Sequence, residues 1–247
     1  MPDIDPCFLH SSILKNKKKG YANMTFEQQV KLLIEENITA GGQYAFFKNC
    51  WYNLYGDYLQ LVKFEKESYG YFSVRYRVQP LYIPLVYYEK WNEFEFSFWD
   101  ASCEYSHAYH DEEINMMKAK DLCMSPNTEK CAMLLRDYVN PRLTVMADPT
   151  ALFERANVLD RIYIKAALGE YEQTCAMINT RKEENIEQAK KERKRNMSED
   201  YCANLETFMD RVFGPMIEAI QVGACDTYLK SIQLKNLDLL QRVVGLG

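Results

Sequence analysis

The sequence predicts an α+β protein in which one helix is followed by an antiparallel sheet and then by a set of helices. Two observations lead to this class. Between about residues 46 and 99, large apolar residues alternate with polar ones, which is the period of β-strands. After about residue 110 the apolar residues recur at helical spacing. Because the helices follow the strands in a block, we expect segregated helical and sheet layers.

The first predicted element is an amphipathic helix that begins at a capping box. Thr25 stands three residues before Gln28, so each side chain can cap the backbone N–H of the other. Apolar residues then recur at helical spacing, at Phe26, Val30, Leu33 and Ile34. We expect this stripe to cover one face of the sheet, and Gly41-Gly42 to end the unit.

The strands are predicted from runs separated by short turn signals, Gly56-Asp57 and Ser68-Tyr69-Gly70. The runs are Phe46–Tyr55, Tyr58–Lys66, Tyr71–Gln79 and Glu93–Trp99, and Pro80 and Pro84 bracket an edge strand or irregular link. Short links favour an antiparallel meander of four or five strands. The alternation predicts that Ser73, Arg75 and Arg77 face away from a core that contains Phe72, Val74, Tyr76, Phe94, Phe96 and Phe98.

Local signals divide the helical region. Asn140-Pro141 is expected to close one helix, and Asp148-Pro149 to start the next. The segment around Gly169 is similar to the turn of a tetratricopeptide repeat, so we expect a helical hairpin there. Ser198 is expected to start a further helix with a kink at Gly214-Pro215.

The chain is expected to fold as a single domain, 1–247. In this prediction 22–110 form the helix and the antiparallel sheet, and 111–247 form a helical region packed on them. The reason is that no Pro/Gly/Ser-rich linker divides the two parts.

Composition excludes several classes of protein. With 30 Lys+Arg against 35 Asp+Glu the formal net charge is −5, which argues against a general nucleic-acid-binding protein. A hydrophobic fraction of 47% excludes a mainly disordered chain. The 8 cysteines include no C-x-x-C and the acidic N-terminus has no apolar signal core, so we expect reduced thiols and a cytoplasmic protein. No segment is apolar enough for a transmembrane helix, so no membrane association is expected.

One cluster has residue types that bind metals. On a helix, Cys103, His107 and His110 would share one face, with Glu104 or Asp111 as a further ligand. The segment follows a predicted strand directly and no distant ligand pair accompanies it, so we expect a solvated connection and no metal. Because no glycine-rich nucleotide-binding loop and no G-x-S-x-G occurs, no cofactor is expected and no catalytic residue is assigned.

Two basic features raise the question of anion binding. Arg181 to Arg195 contains more basic than acidic residues, and a shorter basic run spans Lys15 to Lys19. We expect a solvated helix with ion pairs in the first case and a terminal segment in the second, so contact with nucleic acid is not expected. Arg75 and Arg77, on the predicted polar strand face, are candidates for holding an anion.

Residues of about 26–100 resemble the bacterial domain-of-unknown-function family numbered 4304. The likeness lies in Phe46 to Tyr52, Tyr55 to Ser68 and Phe72 to Val74, although Glu65 replaces a Gln and Glu67 separates Lys66 from Ser68. The resemblance implies a helix, a hairpin and further strands in a bacterial protein, with no established catalytic residues. Some members of that family look like immunity proteins, which bind and block a secreted toxin.

Two functions from different classes follow. The first is an intracellular binding protein, such as a toxin-immunity or regulatory partner, that uses aromatic residues near turns and sheet edges: Tyr69, Tyr71, Tyr82, Tyr87, Tyr88 and Trp91. If the C-terminal helices cover the second sheet face, these residues belong to the core instead. The alternative is an enzyme that acts on a small or phosphorylated substrate where sheet and helices meet. The sequence leaves the partner and the oligomeric state open.

Overall fold

The computed structural model describes residues 24–38, 41–47, 50–66, 72–85, 127–145 and 147–246. The chain divides into two compact units. Of the described residues, the first unit contains those up to Val78 together with 127–145, and the second contains 79–85 and 147–246. The single cooperative domain stays a prediction.

The predicted α+β class is confirmed, since one helix precedes an antiparallel four-stranded sheet and further helices follow it. The first helix and the strands are α1 (Phe26–Asn37), β1 (Gln43–Phe47), β2 (Cys50–Tyr55), β3 (Tyr58–Lys66) and β4 (Phe72–Pro80). The later helices are α2 (Asn127–Met133), a π-helical segment (Leu134–Val139), α3 (Asn140–Val145), α4 (Pro149–Arg155), α5 (Val158–Ala167), α6 (Tyr171–Lys194), α7 (Glu199–Gln221) and α8 (Cys225–Val244).

The strands follow one another in the order β1-β2-β3-β4, which is the predicted meander. Phe47 lies opposite Cys50, and Tyr55 lies opposite Tyr58 across the predicted turn at Gly56-Asp57. The prediction of one strand-like run over Phe46–Tyr55 is wrong, because the chain reverses within it. The reversal falls between Phe47 and Cys50, where the polar pair Lys48-Asn49 interrupts the aromatic run, so a local signal was present and was overlooked.

The middle of the sheet is buried on both faces. Neighbouring residues of one strand point to opposite faces, yet Trp51 and Tyr52 are both buried, and so are Gln60 and Leu61. The prediction that Arg77 faces solvent is therefore wrong, since it is only 1% exposed.

The core prediction is confirmed where the structure describes the side chains. Val74 and Tyr76 are buried, and the ring of Tyr76 lies edge-on to that of Tyr138 with centroids 6.1 Å apart. The other predicted core residues lie outside the described side chains: Phe72, Phe94, Phe96 and Phe98.

The capping box of α1 is confirmed. The backbone N–H of Gln28 donates to the Thr25 hydroxyl at 3.2 Å, and the backbone N–H of Thr25 donates to the Gln28 side chain at 2.9 Å. Val30, Leu33 and Ile34 are buried, and the helix packs against α2 and the π-helical segment. The sequence pattern thus predicted both the start and the buried face of α1.

The helix that the sequence closes at Asn140-Pro141 continues to Val145, so that prediction is wrong. The N–H of Asn140 donates to the carbonyl of Leu135, five residues back, which is the spacing of a π-helix. Pro141 then lies in the helical turn that directly follows the π-helical segment.

The second unit begins with the predicted cap at Asp148, whose carboxylate accepts from the N–H groups of Thr150 and Ala151. One feature was missed: α4 ends at Arg155, and Asn157 caps a separate helix, α5, by accepting from the N–H of Asp160. The hairpin around Gly169 is confirmed, because α5 and α6 meet there with Gly169 at φ 75°. Ser198 caps α7 as predicted.

A short irregular segment of the second unit is held by one side chain of α8. The amide nitrogen of Asn236 donates to the carbonyls of Leu81 (2.7 Å) and Ile83 (2.8 Å), and its oxygen accepts from the N–H of Leu85 at 3.1 Å. Between Pro80 and Pro84 the chain is therefore an irregular link rather than an edge strand. Pro215 lies inside α7, and the predicted kink there stays a prediction.

Candidate interaction surface

An aromatic cluster lies at the β1 edge of the sheet. Phe46 of β1 is paired with Trp51 of β2, and Tyr44 lies two residues away on the same face of the sheet. The Tyr44 ring centroid is 6.3 Å from that of Phe46 and 6.3 Å from that of Trp51. Trp51 is buried, whereas Tyr44 is 50% exposed. These three residues, the β1 cluster, join the core to the surface.

Two charged residues of α1 flank the β1 cluster. The ammonium of Lys31 lies 5.6 Å from the centroid of the Phe46 ring, a cation–π distance. The hydroxyl of Tyr44 donates to a Glu35 carboxylate oxygen at 3.4 Å. Lys31 and Glu35 are also within 3.9 Å of each other. The cluster therefore has a positive group beside Phe46 and a negative group beside Tyr44.

The backbone of β1 forms one edge of the sheet. Within the described residues, β2 is the one strand that pairs with it. Gln43 to Phe47 contains no charged residue and no proline, the usual features that keep an exposed edge from pairing with another strand. Among the described strands β1 is therefore an outer one, and its aromatic side chains are partly exposed, which is the chemistry of a site for strand addition.

Two buried side-chain amides, of Asn53 and Gln60, fix the backbone just before β1. The Asn53 side-chain nitrogen donates to the oxygen of Gln60 at 2.9 Å and to the carbonyl of Gly41 at 3.3 Å. Gln60 in turn donates to the carbonyl of Leu143 at 3.0 Å. Because Asn53 and Gln60 are buried, these bonds fix the backbone just before β1 against the sheet and α3.

The thiol of Cys50, near the β1 cluster, is buried and has a raised pKa. Cys50, at the start of β2, is buried, and this burial raises the pKa of its thiol to about 12. The raised pKa favours the protonated thiol, which is a poor nucleophile.

The cysteines follow the sequence prediction as far as the structure describes them. Cys50, Cys131, Cys202 and Cys225 are buried free thiols, and Cys175 is a half-buried one. The predicted metal-type cluster of Cys103, His107 and His110 lies outside the described residues, as do Glu104, Asp111 and His10. In the described ranges no group of His, Cys, Asp and Glu residues is arranged to hold a metal ion.

The basic run near the end of α6 is largely paired with carboxylates. Arg193 contacts Glu206 at 2.7 Å and Glu199 at 3.0 Å. Its guanidinium holds the pKa of Glu206 below its ordinary value. Lys190 pairs with Glu187 at 2.8 Å. The run has the ion pairs that the sequence predicted for a solvated helix.

Of the six aromatic residues predicted to form a surface, the structure describes Tyr82, which is half-buried. The other five lie outside the described part: Tyr69, Tyr71, Tyr87, Tyr88 and Trp91. Arg77 is buried within β4, and the side chain of Arg75 is not described, so the predicted exposed anion-binding pair is not formed as expected.

Tyr44 was missed by the sequence analysis. Its signal in the sequence is the uncharged run Gln43 to Phe47 directly after Gly41-Gly42.

In the described residues, no helix is both long and apolar enough to cross a membrane.

Comparisons with protein-family models, with curated proteins and with solved structures each find no match for this chain. The resemblance to family 4304 therefore stays a prediction.

Proposed function

We propose that this protein acts by binding another protein, as a toxin-immunity or regulatory partner does, and that the partner adds an extended segment to the edge of β1. The observation that carries the proposal is Tyr44, which is 50% exposed on an uncharged edge strand. Strand addition supplies affinity through backbone hydrogen bonds, and side chains of alternate residues supply specificity.

The β1 cluster suits such a role energetically. Tyr and Trp are enriched among the residues that dominate binding energy at protein interfaces, because they bury a large area and lose little conformational freedom. Trp51, buried on the neighbouring strand, lies beside Tyr44 with the two ring centroids 6.3 Å apart. A partner residue that faces the same side of the extended sheet would cover Tyr44 and Phe46 together.

The proposal is tested by photo-cross-linking in the source cells. A photoreactive phenylalanine analogue at Tyr44 should capture a specific protein, whereas the same analogue at Tyr201 should not. Tyr201 is a matched control because it is 43% exposed but lies on α7. The captured protein is then purified and its binding to the unlabelled chain is measured by calorimetry.

We expect the Tyr44→Lys variant to weaken this binding at least about tenfold, because a charge replaces a hot-spot aromatic, and Tyr201→Lys to leave it unchanged. Capture of the same proteins at both positions, or an unchanged dissociation constant for Tyr44→Lys, would count against the proposal. A cross-link to a second copy of the chain itself does not support it.

A further inference from the structure

The edge strand is complementary to itself. If two copies of β1 pair antiparallel with Ala45 opposite Ala45, then Tyr44 of each copy lies opposite Phe46 of the other, and Gln43 lies opposite Phe47. Aromatic pairs directly opposite each other stabilise antiparallel strands. Every cross-copy pair in this register is uncharged, so nothing in the strand opposes it.

The charges on α1 are complementary in the same register. Glu35 lies beside Tyr44 and Lys31 lies beside Phe46. Pairing of Tyr44 with Phe46 of a second copy therefore brings Glu35 to the side of the other copy's Lys31, and the reverse contact follows by symmetry.

The geometry is that of a closed two-fold dimer. A two-fold axis perpendicular to the sheet between two antiparallel strands keeps the same face up in both copies, so both α1 helices lie on one side. Tyr44 is half exposed although its hydroxyl contacts Glu35 of α1, so its ring is accessible to a second copy.

We infer that a second copy of this chain pairs with the edge of β1, in the register that centres on Ala45, and joins two four-stranded sheets into one. The inference concerns the same edge as the proposed function but does not depend on it. A consequence is that self-pairing and partner binding exclude each other, so the dimer holds the edge closed until a partner displaces one copy.

The first test measures the mass of the full-length chain by sedimentation between low-micromolar and near-millimolar concentrations. We expect a monomer–dimer equilibrium. Lys31→Glu and Glu35→Lys should each weaken the dimer about tenfold, because each turns two symmetric attractive contacts into repulsive ones. The double variant Lys31→Glu/Glu35→Lys should restore it, since the opposite charges face each other again.

A matched control removes an equivalent pair elsewhere. Asp238 and Arg242 form an exposed i,i+4 ion pair on α8 at 3.1 Å, as Lys31 and Glu35 do on α1. Asp238→Lys should leave dimerisation unchanged. Circular dichroism of every variant shows that the fold is retained, which these exposed positions allow.

The second test fixes the register. Ala45→Cys should form a disulfide between two copies under mild oxidation, because Cβ atoms directly opposite each other in antiparallel strands lie about 5 Å apart. Gln43→Cys should not, because Phe47 stands opposite it in this register. Peptide mass spectrometry distinguishes the 45–45 link from links made by the native cysteines.

A chain that stays monomeric throughout the concentration range would overturn the inference. So would a dimer that the charge variants leave unchanged and that gives no 45–45 link. Neither result bears on the proposed function, because the captured partner is a different protein and its binding is measured separately.

Discussion

At the scale of single residues, Gly42 determines how the chain enters β1. Its φ of +127° lies in a region that residues with a Cβ rarely adopt, and a Cβ there would lie 2.2 Å from the carbonyl oxygen of Leu54 on β2. The preceding carbonyl, of Gly41, accepts the hydrogen bond from Asn53. The start of the edge strand thus depends on a close approach of two backbones and on one buried amide.

Gly42→Ala should lower the free energy of unfolding by about 1–3 kcal/mol, because the variant must adopt a strained φ and displace the Leu54 carbonyl. Urea denaturation followed by circular dichroism measures this. Gly41→Ala is the control, because a Cβ at Gly41 meets nothing within 4 Å. Equal effects of the two substitutions would contradict the close approach.

At the scale of elements, α6 and α7 form a long hairpin connected by ion pairs. Arg193 of α6 contacts Glu206 of α7, and Lys182 of α6 contacts Asp210 of α7 at 2.7 Å. The pKa of Glu206 is lowered from its ordinary value of 4.5, mainly by its hydrogen bond to Arg193. A carboxylate with a lowered folded-state pKa stabilises the folded chain above its unfolded-state pKa, and this contribution is lost as the pH falls.

Glu206→Gln should therefore be less stable than the parent at neutral pH, and the difference should narrow as the pH falls below 4.5. Urea unfolding midpoints at a series of pH values measure the difference. The control is Glu183→Gln, an exposed residue of α6 that makes no ion pair within the described chain. The ion pair would be refuted as a source of stability if the two variants gave the same pH dependence.

The elements were predictable where local chemistry determines them. Thr25, Asp148 and Ser198 cap helices in the structure, since an N-cap needs only a side-chain acceptor a few residues from the N–H groups that it caps. Asn157 caps a helix in the same way and was overlooked, although its signal is equally local.

Other features depend on residues distant in sequence, and the sequence did not reveal them. Arg77 alternates with apolar residues as a solvent-facing residue would, and only the packing on the second face of the sheet buries it. The exposure of Tyr44 likewise depends on how α1, whose Glu35 it contacts, lies beside β1. The candidate surface was therefore missed even though the sheet that carries it was predicted.

At the scale of the whole molecule, the two compact units are interleaved along the chain. Residues 79–85 follow the strands of the first unit but belong with 147–246. Within the second unit they depend on Asn236, which satisfies two carbonyls and one N–H of this segment. A cut between the sheet region and the C-terminal helices would leave these buried groups without their partner.

We predict that a 1–147 fragment is insoluble or molten, because it keeps 79–85 and loses the helices that they pack with. Near-ultraviolet circular dichroism and urea unfolding of the fragment measure this. A soluble fragment that unfolds cooperatively would mean that the chain consists of two independent domains, against the single domain that the sequence predicts.

Both proposals require that the outer edge of β1 is open in the single copy. Hydrogen–deuterium exchange measures this directly. The exchange rates of the Gln43 to Phe47 amides are compared with those of the β3 amides, at low and at high protein concentration. In dilute solution we expect β1 amides to exchange faster than those of β3, which is buried on both sides. As the concentration rises, β1 exchange should slow, and Lys31→Glu should need about a tenfold higher concentration for the same slowing. Exchange of β1 as slow as that of β3 in dilute solution would show that the edge is already covered, and would contradict the account.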